Sequence, residues 1–395
     1  MTTQTTPLAP PSASQPEPTF QGGQVLTLAS GHFVHDVFSS FLVPLLPLVI
    51  EKFSLSLTLA GLLPAVYRFP SVFNPVIGLL ADRIDLRILA ILAPTVTAMT
   101  MSLIGVAPSY AILAILLLVA GTSSSVLHVP GPVMVARFAG ARVGKGMSFW
   151  MTAGELARTI GPLIAVSAAS LWGLEGMYPV MVVGLLASAL LYWRLKDAPF
   201  TPRVVRPHNS QGVQWRALLR VFVPITGIIL CKNFMSSALT TFLPTFLSSE
   251  GKSLWFGGTA LAVLEFSGAV GALVSGTLSD RLGRRTVLFI ALVVSPLLVL
   301  GLLAADGWIL FPILVALGFT ILSPTPVVMA IIQDRASDNP ATANGLYMAI
   351  SFLISSGMGV LTGRLADVLG LRAAFTWSAA VAFLGIPIIF LLPRK

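Results

Sequence analysis

The chain has 395 residues, 55% of them apolar and only 10% charged, with a formal net charge of +9. A water-soluble protein carries about 25% charged residues, so a soluble globular domain is excluded for want of wettable surface. The single cysteine, Cys231, excludes an internal disulfide.

Residues 1–24 are rich in Thr, Pro, Ser and Gln and contain no Lys or Arg. They lack the basic start and short apolar run of a signal peptide and read as a disordered cytoplasmic tail. Twelve apolar spans follow, at 25–50, 59–80, 88–106, 110–132, 147–171, 177–193, 221–248, 256–278, 287–305, 309–332, 344–364 and 373–392. Each is about 20 residues long, the length at which a helix crosses a ~30 Å hydrocarbon layer. The fold expected is an all-α integral membrane protein with twelve transmembrane helices. The hydrophilic stretch 194–219, with Pro199, Pro202 and Pro207, is a cytoplasmic linker. It separates a six-helix bundle over 25–193 from a second over 220–395. Prolines 44, 47, 64, 70 and 75 are expected to interrupt the first two spans, and Pro224 and Pro244 the seventh.

With the N-terminus in the cytoplasm, seventeen Lys and Arg residues fall in loops on that side, including Arg83, Arg137, Arg281, Arg284 and Arg285. Four fall opposite: Lys52, Lys252, Arg364 and Arg372. This positive-inside bias places both termini in the cytoplasm, and a bacterial inner membrane is the expected home. The basic excess is topogenic, with some attraction to anionic lipid. Scattered over separate loops, it gives no nucleic-acid footprint.

The halves echo each other. Gly78-Leu-Leu-Ala-Asp82-Arg83 after the second span returns as Gly276-Thr-Leu-Ser-Asp280-Arg281 after the eighth. Pro130-Gly-Pro132 in the fourth span parallels Pro324-Thr-Pro326 in the tenth. Duplicated halves related by an axis along the membrane normal suit two bundles that tilt against each other around a central site. In the repeated loops the glycines are expected to allow close helix approach, the aspartates to satisfy a helix N-terminus, and the arginines to hold the cytoplasmic edge. Gly357, Gly359 and Gly363 in the eleventh span read as helix-packing positions.

Ionisable residues inside a membrane are costly and mark function. Nine occur within spans: His32, His35 and Asp36 in the first, Arg68 in the second, His128 in the fourth, Glu155 and Arg158 in the fifth, Lys232 in the seventh and Glu265 in the eighth. The third, sixth, ninth and twelfth have none. Asp36, Arg68, Glu155, Arg158, Lys232 and Glu265 fall near mid-span, where three acids and three bases can form a buried network. His32 and Asp36, four residues apart, share a helix face. A buried carboxyl beside an imidazole is a proton-binding couple, so Asp36, His32, Glu155 and Glu265 are the candidates for proton coupling. Arg68, His128, Arg158, Lys232 and His35 are the candidates for binding solute. The cations favour an anionic or zwitterionic cargo, because guanidinium groups clamp carboxylate and phosphonate in pairs. Structural ion pairs are the alternative reading of the same residues.

His32, His35, Asp36 and His128 are also ligand types for divalent transition metals. The three midplane cations argue against a metal cargo, and no resident metal or cofactor is expected. No metalloprotease helix, nucleotide-binding glycine loop or Ser/His/Asp arrangement appears. The expectation is therefore a monomeric transporter rather than an enzyme, driven by an ion gradient or by the solute's own gradient. A lipid flippase would instead need a side-open amphipathic groove.

The loop Gly276-Thr-Leu-Ser-Asp280-Arg-Leu-Gly283-Arg284-Arg285 matches the G-x-L-x-D-R-x-G-R-R signature of the major facilitator superfamily, and the chain resembles that family. The first copy departs from it, with Asp85 in place of the second glycine and Leu86 in place of an arginine. The resemblance implies two pseudo-symmetric six-helix bundles, with spans 1, 4, 7 and 10 lining the cavity and the uncharged spans 3, 6, 9 and 12 at the periphery. It also implies that the loop residues Gly78, Asp82, Arg83, Gly276, Asp280, Arg281, Arg284 and Arg285 govern conformational gating. Within the superfamily, Ser30-Gly-His32-Phe-Val-His35-Asp36, Gly121-Thr-Ser-Ser-Ser-Val-Leu-His128 and Gly161-Pro162 are similar to the bacterial fosmidomycin-resistance exporters. That similarity implies proton-driven antiport of a small molecule out of the cell, and supports His32, Asp36, His128 and Gly161-Pro162. The acidic residue that family carries after the span 4 histidine is replaced by Val129-Pro130-Gly131. The residues themselves leave direction open, so uptake of an organic anion and export of a divalent metal stand as alternatives.

Overall fold

The computed structural model describes residues 19–197, 215–335 and 340–392, with the side chains of 82, 215–221, 333–335 and 340–345 outside the description. Among these residues every regular element is helical. Span 1 is two helices, Gly22–Ser39 and Leu42–Phe53, and span 2 is Leu57–Arg68 and Asn74–Arg83 joined by the 3-10 turn Phe69–Phe73. Span 3 is Arg87–Ser102, span 4 is Tyr110–His128 with Pro130–Ala139, span 5 is Val143–Gly176 and span 6 is Val182–Leu195. The second half repeats the plan as Trp215–Ser249, Leu254–Leu282, Arg284–Ala304, Leu310–Leu322 with Pro324–Arg335, Pro340–Leu369, and Leu371–Phe383 with Gly385–Ile389. Ten stretches are long and apolar enough to cross a membrane. One of them, Tyr110–Gly176, runs 67 residues and holds two crossings. The broken span 2 completes the twelve.

The breaks have local causes. Span 1 breaks at Ser40, four residues before Pro44, whose ring removes a donor and crowds the carbonyl one turn back. The hydroxyls of Ser39 and Ser40 donate to the carbonyls of His35 (3.0 Å) and Asp36 (2.8 Å), so the chain turns without stranding acceptors. Pro70 is the second residue of the 3-10 turn of span 2 and Pro75 the second of the helix that follows it, and spans 4 and 10 break just before Pro130 and Pro324. Four prolines correct the expectation of an interruption: the helix of span 7 continues through Pro224 and Pro244, Leu42–Phe53 through Pro47 and Leu57–Arg68 through Pro64. The first helix starts at Gly22, three residues ahead of the expected boundary, with the Gln21 N–H donating to the Phe138 carbonyl at 2.8 Å. The rest of the tail, residues 1–18, and most of the linker, 198–214, lie outside the described residues.

Packing is asymmetric along the membrane normal. On the face remote from the termini, one buried cluster joins Phe41, Leu45 and Leu63 of the first bundle to Phe242, Leu261 and Phe375 of the second. Toward the termini the core divides. Val25, Ile91, Val135 and Trp150 belong to a cluster of the first bundle alone, and Ile228, Leu288, Val327 and Tyr347 to one of the second. The bundles therefore meet at the remote face and part toward the terminal face. Glycines make the remote contact tight. A Cβ on Gly61 would lie 2.4 Å from the Gly359 carbonyl oxygen, and one on Gly363 2.1 Å from that of Leu57. At the parted end, a Cβ on Gly276 would meet nothing within 4 Å, and one on Gly78 only Val129 at 3.8 Å. The expected close approach at Gly78 and Gly276 is thus absent from this conformation, and Gly357, exposed and two residues before Gly359, lies on the other side of its helix from the Gly359 contact.

The two signature loops differ for a stereochemical reason. Gly283 takes φ +90°, a region that side chains disfavour, and is the single residue between spans 8 and 9. Asp85 stands at the matching place in the first half, where the chain follows a longer route through extended Ile84 (φ −125°, ψ 153°). Asp85 there accepts the Arg87 N–H at 2.9 Å and pairs with its guanidinium at 3.1 Å.

Candidate functional site

A cavity of about 230 Å³ lies between the bundles at mid-membrane. Its wall contains Asp36 and Ser40 of span 1, Tyr67 and Arg68 of span 2, Ser124 and His128 of span 4, Arg158 of span 5, Thr240 of span 7 and Glu265 of span 8. Five of the nine intramembrane ionisable residues thus converge on one space, four from the first bundle and Glu265 from the second. Glu155 joins through Arg158, to which it is hydrogen-bonded one helical turn away. Arg68 has no hydrogen bond or ion pair among the described residues; Asp36, His128, Arg158 and Glu265 are the ionisable groups that share its wall.

The densest chemistry is a cluster of two imidazoles and a carboxylate. His32 Nε2 stands 3.1 Å from Asp36 Oδ2 and 3.2 Å from His128 Nε2, and His128 Nε2 stands 3.4 Å from Asp36 Oδ1. The far ring nitrogens are committed. His32 Nδ1 is 3.0 Å from the Trp150 carbonyl and His128 Nδ1 is 2.9 Å from the Ser124 carbonyl. A carbonyl only accepts, so both Nδ1 atoms carry hydrogen and both Nε2 lone pairs turn to the shared centre. Two neutral rings in that arrangement would repel across 3.2 Å, and a positive charge at the centre resolves it. His32, Asp36 and His128 are also the group with metal-ligand spacing among the described residues.

Small residues bring these groups together. A Cβ on Gly154 would lie 2.9 Å from His32 Cε1, and one on Gly161 2.8 Å from the Val37 carbonyl oxygen. Seven residues apart, the two glycines seat span 1 in a groove on span 5, which gives the Gly161-Pro162 pair a packing role. A Cβ on Gly121 would lie 1.7 Å from the Tyr67 carbonyl oxygen, so the same logic sets span 2 against span 4. Trp150 was not legible as a site residue in the sequence. Its ring stacks on His32 at 3.8 Å and 10°, and its place one turn before Gly154 was the available signal.

Two candidates stand apart. Lys232 is buried on span 7 but does not line the cavity, and no carboxylate pairs with it among the described residues. The expected network of three acids and three bases is therefore a cavity with two arginines. His35 is fully buried behind Asp36, its Nε2 3.9 Å from Oδ1, and neither ring nitrogen has a hydrogen bond among the described residues. Nothing in the structure explains a histidine there.

Of the gating loops, Arg83 and Arg281 are exposed and Asp280 lies 3.8 Å from Arg284; the Asp82 side chain lies outside the description. The sequence reading missed their counterpart on the remote face. Asp367 of span 11 accepts the N–H groups of Leu57 (2.7 Å) and Thr58 (3.0 Å) and the Thr58 hydroxyl (2.5 Å). With Ser56 accepting from Leu59, the first three donors of span 2 are satisfied, two of them by the opposite bundle. The signal was present: Gly363…Asp367…Gly370…Arg372 repeats the spacing of Gly276…Asp280…Gly283…Arg285. Gly370 takes φ +86°, close to the +90° of Gly283.

Two six-helix bundles closed at one face, parted at the other and enclosing a charged cavity at mid-membrane define a membrane transporter. The Major Facilitator Superfamily profile matches residues 28–360 and 258–395, and the chain belongs to that family. It is 23% identical over 404 residues to the fosmidomycin resistance protein of Escherichia coli (strain K12), covering 99% of this chain and 98% of that one. It is 24% identical over 371 residues to the multidrug resistance protein MdtG of Proteus mirabilis (strain HI4320), covering 89% and 91%. Among solved structures, a bacterial homologue of the human lysosomal transporter Spinster, inward-facing and occupied, superposes with TM-score 0.80 at 15% identity, covering 96% of this chain and 97% of that one.

Proposed function

We propose that the protein exports a small zwitterionic or anionic solute by alternating access, driven by protons entering in exchange. The observation that carries this reading is the single cavity in which Arg68 and Arg158 stand with Glu265 of the opposite bundle. Two guanidinium groups suit a carboxylate or phosphonate, and a carboxyl group facing them suits both a proton and an ammonium group. The charge balance decides the coupling. A solute whose cationic group takes the place of a proton on Glu265 is exchanged for that proton. A solute with anionic groups only competes with the Glu265 carboxylate for the arginines, so it travels together with a proton, which is the uptake alternative. The likeness to resistance proteins favours export.

The positive-inside distribution supports a cytoplasmic terminal face, and on that orientation the parted end faces the cytoplasm, where an exported solute enters. A monomer in a bacterial inner membrane fits one complete cavity per chain. The test uses everted vesicles with a respiration-driven proton gradient, to which aminophosphonates, simple organic acids and lipophilic cations are added in turn. Dissipation by an aminophosphonate with native protein, absent in Glu265→Gln vesicles, supports exchange. Dissipation by lipophilic cations alone refutes the assignment of cargo charge. A gradient unmoved by every compound, with anion uptake in right-side-out vesicles, replaces exchange by co-transport.

A further inference from the structure

We propose that His32, Asp36 and His128 form a three-ligand site for one divalent transition-metal ion of the zinc class, open on its fourth side to the central cavity. The spacing is close to that of a bound ion. Ligands bound tetrahedrally at zinc distances stand about 3.3 Å from one another. The two Nε2 atoms stand 3.2 Å apart, and each has its own Asp36 oxygen beside it, Oδ2 at 3.1 Å from His32 and Oδ1 at 3.4 Å from His128. One ligand atom from each residue lies within 4.8 Å of the others, so a small rotation of the carboxylate brings oxygen onto an ion held by the two rings. The outer hydrogen bonds are those a metal site needs: each ligating histidine donates its other ring N–H to a backbone carbonyl, which fixes the tautomer and aims the free lone pair. Here Trp150 and Ser124 supply both carbonyls. The donor set of two imidazoles and one carboxylate suits zinc, cobalt or iron(II), not the all-oxygen preference of magnesium and calcium.

The repulsion expected from three cations at this depth is largely removed. Lys232 is not in the cavity wall, Arg158 is bonded to Glu155, and Arg68 shares its wall with Glu265. The open direction also follows from geometry. Asp36 and His128 line the cavity, whereas His32 is buried behind them under the Trp150 ring. The fourth position therefore faces the space that Arg68 and Arg158 border, where water or an anionic group can complete the coordination.

The test is direct binding to purified full-length protein in detergent, in a Cys231→Ser, His208→Gln background that removes the remaining thiol and an unrelated imidazole. Zinc is titrated calorimetrically, and zinc-loaded protein is examined by X-ray absorption. The expected result is one ion per chain with a shell of two imidazoles, and affinity at least tenfold weaker in both Asp36→Asn and His128→Gln. Absence of binding in the background protein overturns the proposal, as does binding that persists undiminished in both ligand variants. If a variant fails to fold, the absorption spectrum decides alone, and an oxygen-only shell also overturns it. Transport is not the readout, so the result is independent of the cargo assigned above.

Discussion

Removing the Asp367 carboxylate tests the working cycle most directly, because its contacts join the bundles across the closed face. The carboxylate satisfies two backbone donors at a helix start and one hydroxyl. Losing an N-cap costs about 1 kcal/mol, and a charge-assisted hydrogen bond is worth about 1.5–3 kcal/mol when well shielded. Asp367 is exposed, so the lower end applies: about 2 kcal/mol for Asp367→Ala and about 1 kcal/mol for Asp367→Asn, which keeps one acceptor and loses the helix-dipole attraction. The loss falls only on the conformation closed at this face. The ratio of protein open at this face to protein closed there should therefore rise about thirtyfold for alanine and about fivefold for asparagine, at 1.4 kcal/mol per factor of ten. Spin labels at Pro108 and Val368, both exposed on this face, report the change as a longer distance population. An unchanged distance distribution in folded Asp367→Ala refutes the latch. Asp280, at the equivalent place in the signature, should act with the opposite sign. The start of span 5 has no side-chain cap here, so Asp280→Asn leaves the present conformation intact and weakens only the one closed at the terminal face.

Other substitutions probe the site and its supports. Gly363→Val places side-chain atoms against the Leu57 carbonyl oxygen, already 2.1 Å from a Cβ position; it should wedge the remote face open and lengthen the same spin-label distance. Gly154→Leu intrudes on His32 and should cut transport at least tenfold while leaving the protein monodisperse on gel filtration. Arg158→Gln removes one guanidinium and leaves Glu155 unpaired; the half-saturating solute concentration should rise about tenfold or more, the scale of one charge-assisted contact, with Arg158→Lys recovering only part. Hydrogen bonds from Lys252 and the Gly307 N–H hold the Asp306 carboxyl below the usual carboxylate range. A depressed carboxyl stabilises the fold above its unfolded pKa, near about 3.9, and loses that contribution as pH falls through the lower folded value. Asp306→Asn should thus lower the melting temperature slightly at pH 7 and not at pH 2.

Sequence made the fold legible because its main signals are additive. Twenty-residue apolar runs, loop charge and a repeated loop motif each survive without knowledge of any contact. The cavity was partly legible for a different reason: an ionisable group in hydrocarbon has few places to go, so Asp36, Arg68, His128, Arg158 and Glu265 could be expected to converge. Depth along a span, however, does not fix the direction in which a side chain points. Lys232 shares the depth of the others and lies outside the cavity wall, because rotation about the helix axis depends on packing that hydropathy does not encode. Trp150 was hidden for the same reason. An aromatic residue in an apolar helix looks like lipid-facing bulk until Gly154 lets span 1 approach it.

Asp367 was missed through a symmetry that hydropathy obscures. The signature was sought on the basic face, where arginines make it conspicuous, and the remote copy lacks two of them, Val368 and Leu371 standing at their places. What the copies keep is the part that closes a face: a glycine that lets two helices touch, an aspartate one turn later, and a glycine of positive φ that ends the helix behind it. At the remote face all three are engaged: Gly363 lies against Leu57, Asp367 caps span 2 and Gly370 turns the chain. At the terminal face the equivalent Gly276 touches nothing and Asp280 is mostly exposed. One latch made and its twin unmade is what the proposed alternation between two states requires, since contacts formed in both states would bias neither. On that proposal, latches of similar composition would hold the two closed forms within a few kcal/mol of each other, the range in which a bound solute can tip the balance.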